Sequence, residues 1–195
     1  GDQAVPRGVQ KALRPTVTMA RKFILIRGIL TVLAGSIILV LIAGAVLYIS
    51  KQKAKPRPGT VFEDLGNEHV REITTPHKPY NSVPPTSGPH LPRIAPWGIA
   101  EVQVPDELIV HNMEDGGIII NYDPVRIASK DIEKLKGLMG TYDDQILLHP
   151  YIKPELPSPI VLTAWTKLLT LESFDEAKIR EFITAYRSID HHEKK

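Results

Sequence analysis

Charged and apolar positions divide this chain sharply. From Gly28 to Ile49 no side chain carries a charge, and a run of that length wound as a helix measures about 33 Å, close to the thickness of a bilayer's hydrocarbon core. The pattern predicts a transmembrane helix over residues 23–49: Phe23 to Ile26 extend the run if Arg27 snorkels, and Tyr48 stands at the far end, where an amphipathic ring belongs. Ala43-Gly44-Ala45 imitates the small residues of a signal-peptide cleavage site. The apolar run continues past them to Ile49, longer than a usual signal core, which favours a retained anchor.

Beyond residue 60 the apolar segments are short. Thr60–Phe62, His69–Ile73, Ile99–Val104, Leu108–His111, Gly117–Tyr122, Gln145–His149 and Ile160–Trp165 read as strands, with alternating or β-branched runs. Ser129–Met139 carries Ile132, Leu135, Leu138 and Met139 at helical spacing. Phe174–Arg187 reads as a second helix, announced by a capping box of Ser173 and Glu176. The expected fold is α+β: a single N-terminal transmembrane helix, then one extracytoplasmic domain over 60–190 with a mainly antiparallel sheet and two packed helices. The charged tail from His191 to Lys195 is expected to fray.

Charge adds the topology. Residues 1–22 are a basic arm bearing Arg7, Lys11, Arg14, Arg21 and Lys22. Lys51, Lys53, Lys55 and Arg57 flank the other side, but the arm is the heavier, so the amino terminus is expected to be cytoplasmic, against membrane lipid. The domain then lies outside the cytoplasm, in the periplasm or extracellular space, lifted off the headgroups by a Lys- and Pro-rich linker over 50–59. Gly28, Thr31 and Gly35 share one helical face, an approach surface for other integral-membrane subunits. A formal net charge of +2 over 195 residues gives no indication of nucleic acid.

The chain has no cysteine, so disulfides, thiolate metal sites and a cysteine nucleophile are excluded. Outside the tail it has His69, His77, His90, His111 and His149. Pro84-Pro85-Thr86-Ser87-Gly88-Pro89-His90 is unusual: three prolines fix φ and remove three donors, Gly88 supplies the freedom to turn, and the string ends on an imidazole. It reads as a stiff loop that either positions a site or covers a core. His111-Asn112-Met113-Glu114-Asp115-Gly116-Gly117 is expected as a strand end and glycine turn, offering an imidazole, a thioether and two carboxylates within five residues. The candidate metal ligands are His69, His90 and His111, with Met113, Glu114 or Asp115 nearby. Imidazoles with an optional thioether favour copper, with zinc second. Taken singly, His69, His90 and His111 each read more readily as a half-buried ring bonded to a backbone carbonyl than as a ligand, His149 before Pro150 reads as either, and His77, between Pro76 and Lys78, reads as an exposed loop residue. Ser87 lacks the Gly-x-Ser-x-Gly elbow of a serine hydrolase, and no other nucleophile or cofactor motif points to an independent enzyme.

Gly66-Asn67-Glu68-His69, Tyr80, the seven-residue loop at 84–90, His111 through Gly117 and Leu162-Thr163-Ala164-Trp165 together resemble domain of unknown function 3105, a group of bacterial membrane-anchored proteins, over roughly 60–186. The resemblance implies that His69, His90 and His111 belong to one constellation. It also exposes two departures: where the family pattern runs Leu-Glu-His-Gly, this chain has Met113 for the leucine and Asp115 for the histidine. Asp115 then either replaces the imidazole or leaves a scaffold. Two functions follow: a membrane-tethered metal-handling module that serves a membrane enzyme, or a structural accessory subunit of a larger respiratory, photosynthetic or oxidising membrane complex.

Overall fold

A computed structural model describes residues 14–53, 56–142 and 144–192. The chain divides into two compact units, Gly1–Pro56 and Arg57–Lys195. In the first, one helix, α1 (Arg14–Lys53), contains a stretch, Arg21–Ile49, long and apolar enough to cross a membrane, whether as an anchor or as a signal sequence. Its bounds exceed the expected 23–49. Positions 14–22 of the basic arm and 50–53 of the linker continue the helix, because no proline interrupts the chain between Pro15, in the first turn, and Pro56. Residues 1–13 of the arm and 54–55 of the linker lie outside the described residues.

The second unit is α+β, built on a six-stranded sheet in the order β1-β6-β5-β3-β4-β2. The strands are β1 (Thr60–Val61), β2 (Gly98–Ile99), β3 (Ile118–Tyr122), β4 (Ile146–Pro150), β5 (Ile160–Ala164) and β6 (Lys167–Leu171). The sheet is mixed rather than mainly antiparallel. β1–β6, β6–β5 and β5–β3 pair antiparallel, whereas β4 runs parallel to both β3 and β2. The parallel β3–β4 pair follows from the helix α3 (Ser129–Met139) between them, since parallel neighbours need a crossover.

Strands β3, β4 and β5 are buried along their whole length because both faces are covered. Ile118, Ile120 and Tyr122 of β3, with Ile146 and Leu148 of β4, pack against α3 and the last helix, α4 (Glu176–Tyr186). The alternate residues Ile119 and Leu147 turn to the other face, onto α2 (Asp106–Glu114) and Ala95 of the proline-rich segment. The candidate site is built on this second face.

Helix α2 corrects the sequence expectation most. Leu108–His111 is not a strand, and the domain has three helices among its described residues, not two. Pro105 precedes α2, and Asp106 and Glu107 occupy its first turn, favourable positions at a helix N-terminus. Two other expected strands shrink: His69–Ile73 is reduced to one isolated bridge, and Ile99–Val104 to β2. β6 was not expected. A two-residue turn, Trp165-Thr166, with Thr166 at φ +59°, joins it to β5 without the usual Asn-Gly chemistry. α4 is capped by the Asp175 carboxylate, which accepts the Lys178 N–H at 3.1 Å, rather than by Ser173.

Candidate metal centre

The proline-rich loop is buried from Pro84 to His90 and is fastened at several points. Gly88 N–H donates to Gly66 O, His90 N–H to Glu68 O, and Val70 N–H to His90 O, which makes a short parallel bridge pairing His69 with His90. Gly88 sits at φ +120°, and a Cβ there would come within 3.2 Å of the Tyr80 ring. On the helix side, Leu91 N–H donates to Glu107 O, and the Asn112 side chain clamps Ala95 by accepting its N–H (2.8 Å) and donating to its carbonyl (2.9 Å). The loop therefore both covers the core and positions His90 against α2.

On α2 the spacing of three and four places His111, Glu114 and Asp115 on one face. The Glu114 carboxylate, completely buried, is the hub. Its Oε2 lies 3.0 Å from His90 Nε2, 3.9 Å from His69 Nε2 and 3.9 Å from His111 Nδ1. The three rings are neighbours, with centroids 4.9–5.4 Å apart. One donor atom from each of His69, His90, His111 and Glu114 lies within 4.8 Å of all the others.

Surrounding groups set these donors for coordination. His90 Nδ1 donates to Gly88 O at 2.8 Å, which fixes the ring with its Nε2 turned to the centre. Asn67 Nδ2 donates to Glu114 Oε1 at 2.8 Å and leaves Oε2 for the cluster. His111 Nδ1 is buried without a hydrogen-bond partner, a condition that costs about 1–3 kcal/mol unless something binds it. Burial pushes the His111 imidazole below its ordinary value, with Asp115 opposing, a direction that favours the neutral form a metal needs. Four donors each 2.0–2.1 Å from one ion at tetrahedral angles are about 3.4 Å apart, and the separations from Glu114 bracket that value. The residues fit a metal ion.

The other expected residues separate. Met113 is fully buried among Ile109, Val110, Ile119 and Trp165, so packing accounts for its thioether. Asp115 belongs to a second group with His111 and His192. His77 is half-buried rather than exposed, 3.6 Å from Glu107 and against the Tyr80 ring. His149 is a satisfied core residue: its Nδ1 accepts from Val104 N–H and its Nε2 donates to Asn121 Oδ1. Asn67 and His192 carried no expected role. Asn67 stood inside a quoted motif, whereas His192 lay in a tail expected to fray. Instead, Ser188 N–H bonds Gly116 O and His191 N–H bonds Glu114 O, tying the tail to the end of α2, and the His191 ring stacks on Trp165. Residues 193–195 lie outside the described residues.

Residues 71–195 match the family described as protein of unknown function (DUF3105). The chain belongs to this family. The match takes in His90, His111 and Glu114 and begins two residues after His69. No curated protein and no solved structure shows significant similarity to the chain.

Proposed function

We propose that this DUF3105 protein is a single-pass, membrane-tethered metal-binding module, with its basic arm in the cytoplasm and its α+β domain outside, where it holds a transition-metal ion for a membrane partner. The observation that carries the reading is the convergence of His69, His90, His111 and Glu114 around a buried, otherwise unpartnered imidazole nitrogen. Three nitrogens and one carboxylate oxygen suit divalent copper, the tightest-binding of the first-row ions, and zinc next. With Met113 in the core, a thioether gives no support for cuprous copper. Tethering raises the concentration of the domain near a membrane target without demanding high affinity between them.

Metal analysis of the full chain purified in detergent tests the reading. About one equivalent of copper or zinc is expected in the wild type and none in His90→Ala or Glu114→Gln. Equal metal content in all three would reject the site.

A second reading, a structural accessory subunit, is favoured by Gly28 and Gly35 of α1, where an added Cβ would meet nothing within 4 Å. Mass measurement after mild-detergent purification separates the two. Stable co-purification of large integral-membrane partners from a metal-free preparation supports the accessory subunit, and a metal-loaded chain alone supports the module.

A further inference from the structure

His111 faces two ways. Its Nδ1 points inward, 3.9 Å from Glu114 Oε2, while its Nε2 lies 3.9 Å from Asp115 Oδ1 on the outer side. His192, brought over by the tail, sets its own Nε2 3.7 Å from Asp115 Oδ1 and 3.4 Å from Glu114 Oε2. His111, Asp115 and His192 thus form a second cluster of donor atoms within 4.8 Å of one another, sharing a ring with the inner group. The two groups differ in the access of their carboxylates: Asp115 is 34% exposed beside a 45% exposed His192, whereas Glu114 is 1% exposed beside a fully buried His90, and His69, 46% exposed, is the open edge of the inner group.

The arrangement of the tail is specific to this placement. His191 N–H is bonded to Glu114 O at the end of α2 and Ser188 N–H to Gly116 O just beyond it, and the tail backbone at Ile189 passes so close to Gly116 that an added Cβ would sit 2.7 Å from the Ile189 nitrogen. Gly116 is at φ +82°, a conformation glycine adopts without strain. Asp190 accepts from the His192 backbone N–H and contacts its Nδ1 at 2.7 Å, which turns Nε2 toward the cluster.

We infer that His111, Asp115 and His192 form an outer receiving site for a divalent transition-metal ion, from which the ion passes to His69, His90, His111 and Glu114. The inference rests on the metal-binding reading above. His192 Nε2, an outer donor, lies 3.4 Å from Glu114 Oε2, the innermost carboxylate, close enough for both to hold one ion during the handover, so ligands are exchanged one at a time without releasing the ion to water. The ion keeps its charge and no electron is transferred; as it leaves His111 Nε2 for Nδ1, the ring proton on Nδ1 is given up to water and Nε2 takes one from water, so the proton count is unchanged. Asp115, standing where the family pattern has an imidazole, is then a ligand of the outer site and not a lost ligand of the inner one.

The test is the rate of zinc loading into the metal-free full chain in detergent, followed by competition with a chromophoric chelator. His192→Ala and Asp115→Asn should load on the order of tenfold more slowly than wild type, the scale on which a local charged site raises capture rates, and reach the same final occupancy. Loading at the wild-type rate in both variants would overturn the inference and leave the inner site standing. Slower loading with a matching fall in final affinity would also overturn it, by making His192 an inner ligand. A wild-type chain that takes up no zinc would overturn both this inference and the metal-binding reading.

Discussion

His90 Nε2 lies 3.0 Å from Glu114 Oε2, and both side chains are withdrawn from solvent. One is delivered by a proline-stiffened loop and the other by the last turn of a helix, so the contact reports whether loop and helix are in register. The residue that aims the carboxylate is Asn67. Asn67→Ala removes the 2.8 Å bond to Oε1 and should weaken metal binding about 10–100-fold, the usual cost of losing a group that orients a ligand. Zinc affinity by chelator competition, with circular dichroism to show an unchanged fold, checks this.

A bound ion should also hold the domain together. At a free zinc concentration about 100 times the dissociation constant, the gain is about 2.7 kcal/mol, and chelation removes it. Thermal melts with and without chelator should differ for the wild type and coincide for His90→Ala.

Asn112 secures the loop to α2 through two bonds to Ala95, both buried. Asn112→Ala strands an N–H and a carbonyl and should cost about 2–4 kcal/mol in denaturant unfolding, with metal affinity falling as His90 loses its support.

Acid should destabilise the domain through His149, whose imidazole burial lowers from 6.5 to about 4. The folded state binds fewer protons than the unfolded chain between those values. Stability is therefore full above pH 6.5, falls as pH drops through that window, and levels off below about pH 4, a loss of the order of 3 kcal/mol. Asp106 opposes the trend. Burial, with Glu107 adding to it and the Tyr151 bond working against it, raises its carboxyl from 3.8 to about 6, so its contribution is present below pH 3.8 and lost as pH rises through about 6. Asp106→Asn removes this offset and should steepen the decline between pH 6 and 4 in denaturant melts of the metal-free chain.

What the sequence disclosed depended on how many faces of an element are buried. Ile118–Tyr122, Ile146–Pro150 and Ile160–Ala164 are covered on both sides and appear as continuous apolar runs, close to the expected strands. Ser129–Met139 matched its expected helix because it is amphipathic over three turns. Helix α2 is only nine residues long, and its Leu108-Ile109-Val110 run imitates a strand. The error bears on the site: in a strand, His111 and Glu114, three apart, would face opposite ways, while a helix puts them together. Asp106 and Glu107 after Pro105 were the available signal. The parallel pairing of β4 depended on knowing where α3 crosses, and the role of His192 on backbone bonds between the tail and α2, which no local pattern encodes.

The short parallel bridge between His69 and His90 carries a practical consequence for anyone trimming this protein. A fragment cut to the family-matched span would begin at Arg71. It would discard Asn67 and His69 and take away the carbonyls of Gly66 and Glu68, which accept the Gly88 and His90 amides. Such a fragment would retain α2, α3 and α4 and still lack one wall of the candidate metal pocket, so its failure to bind an ion would say nothing about the intact chain.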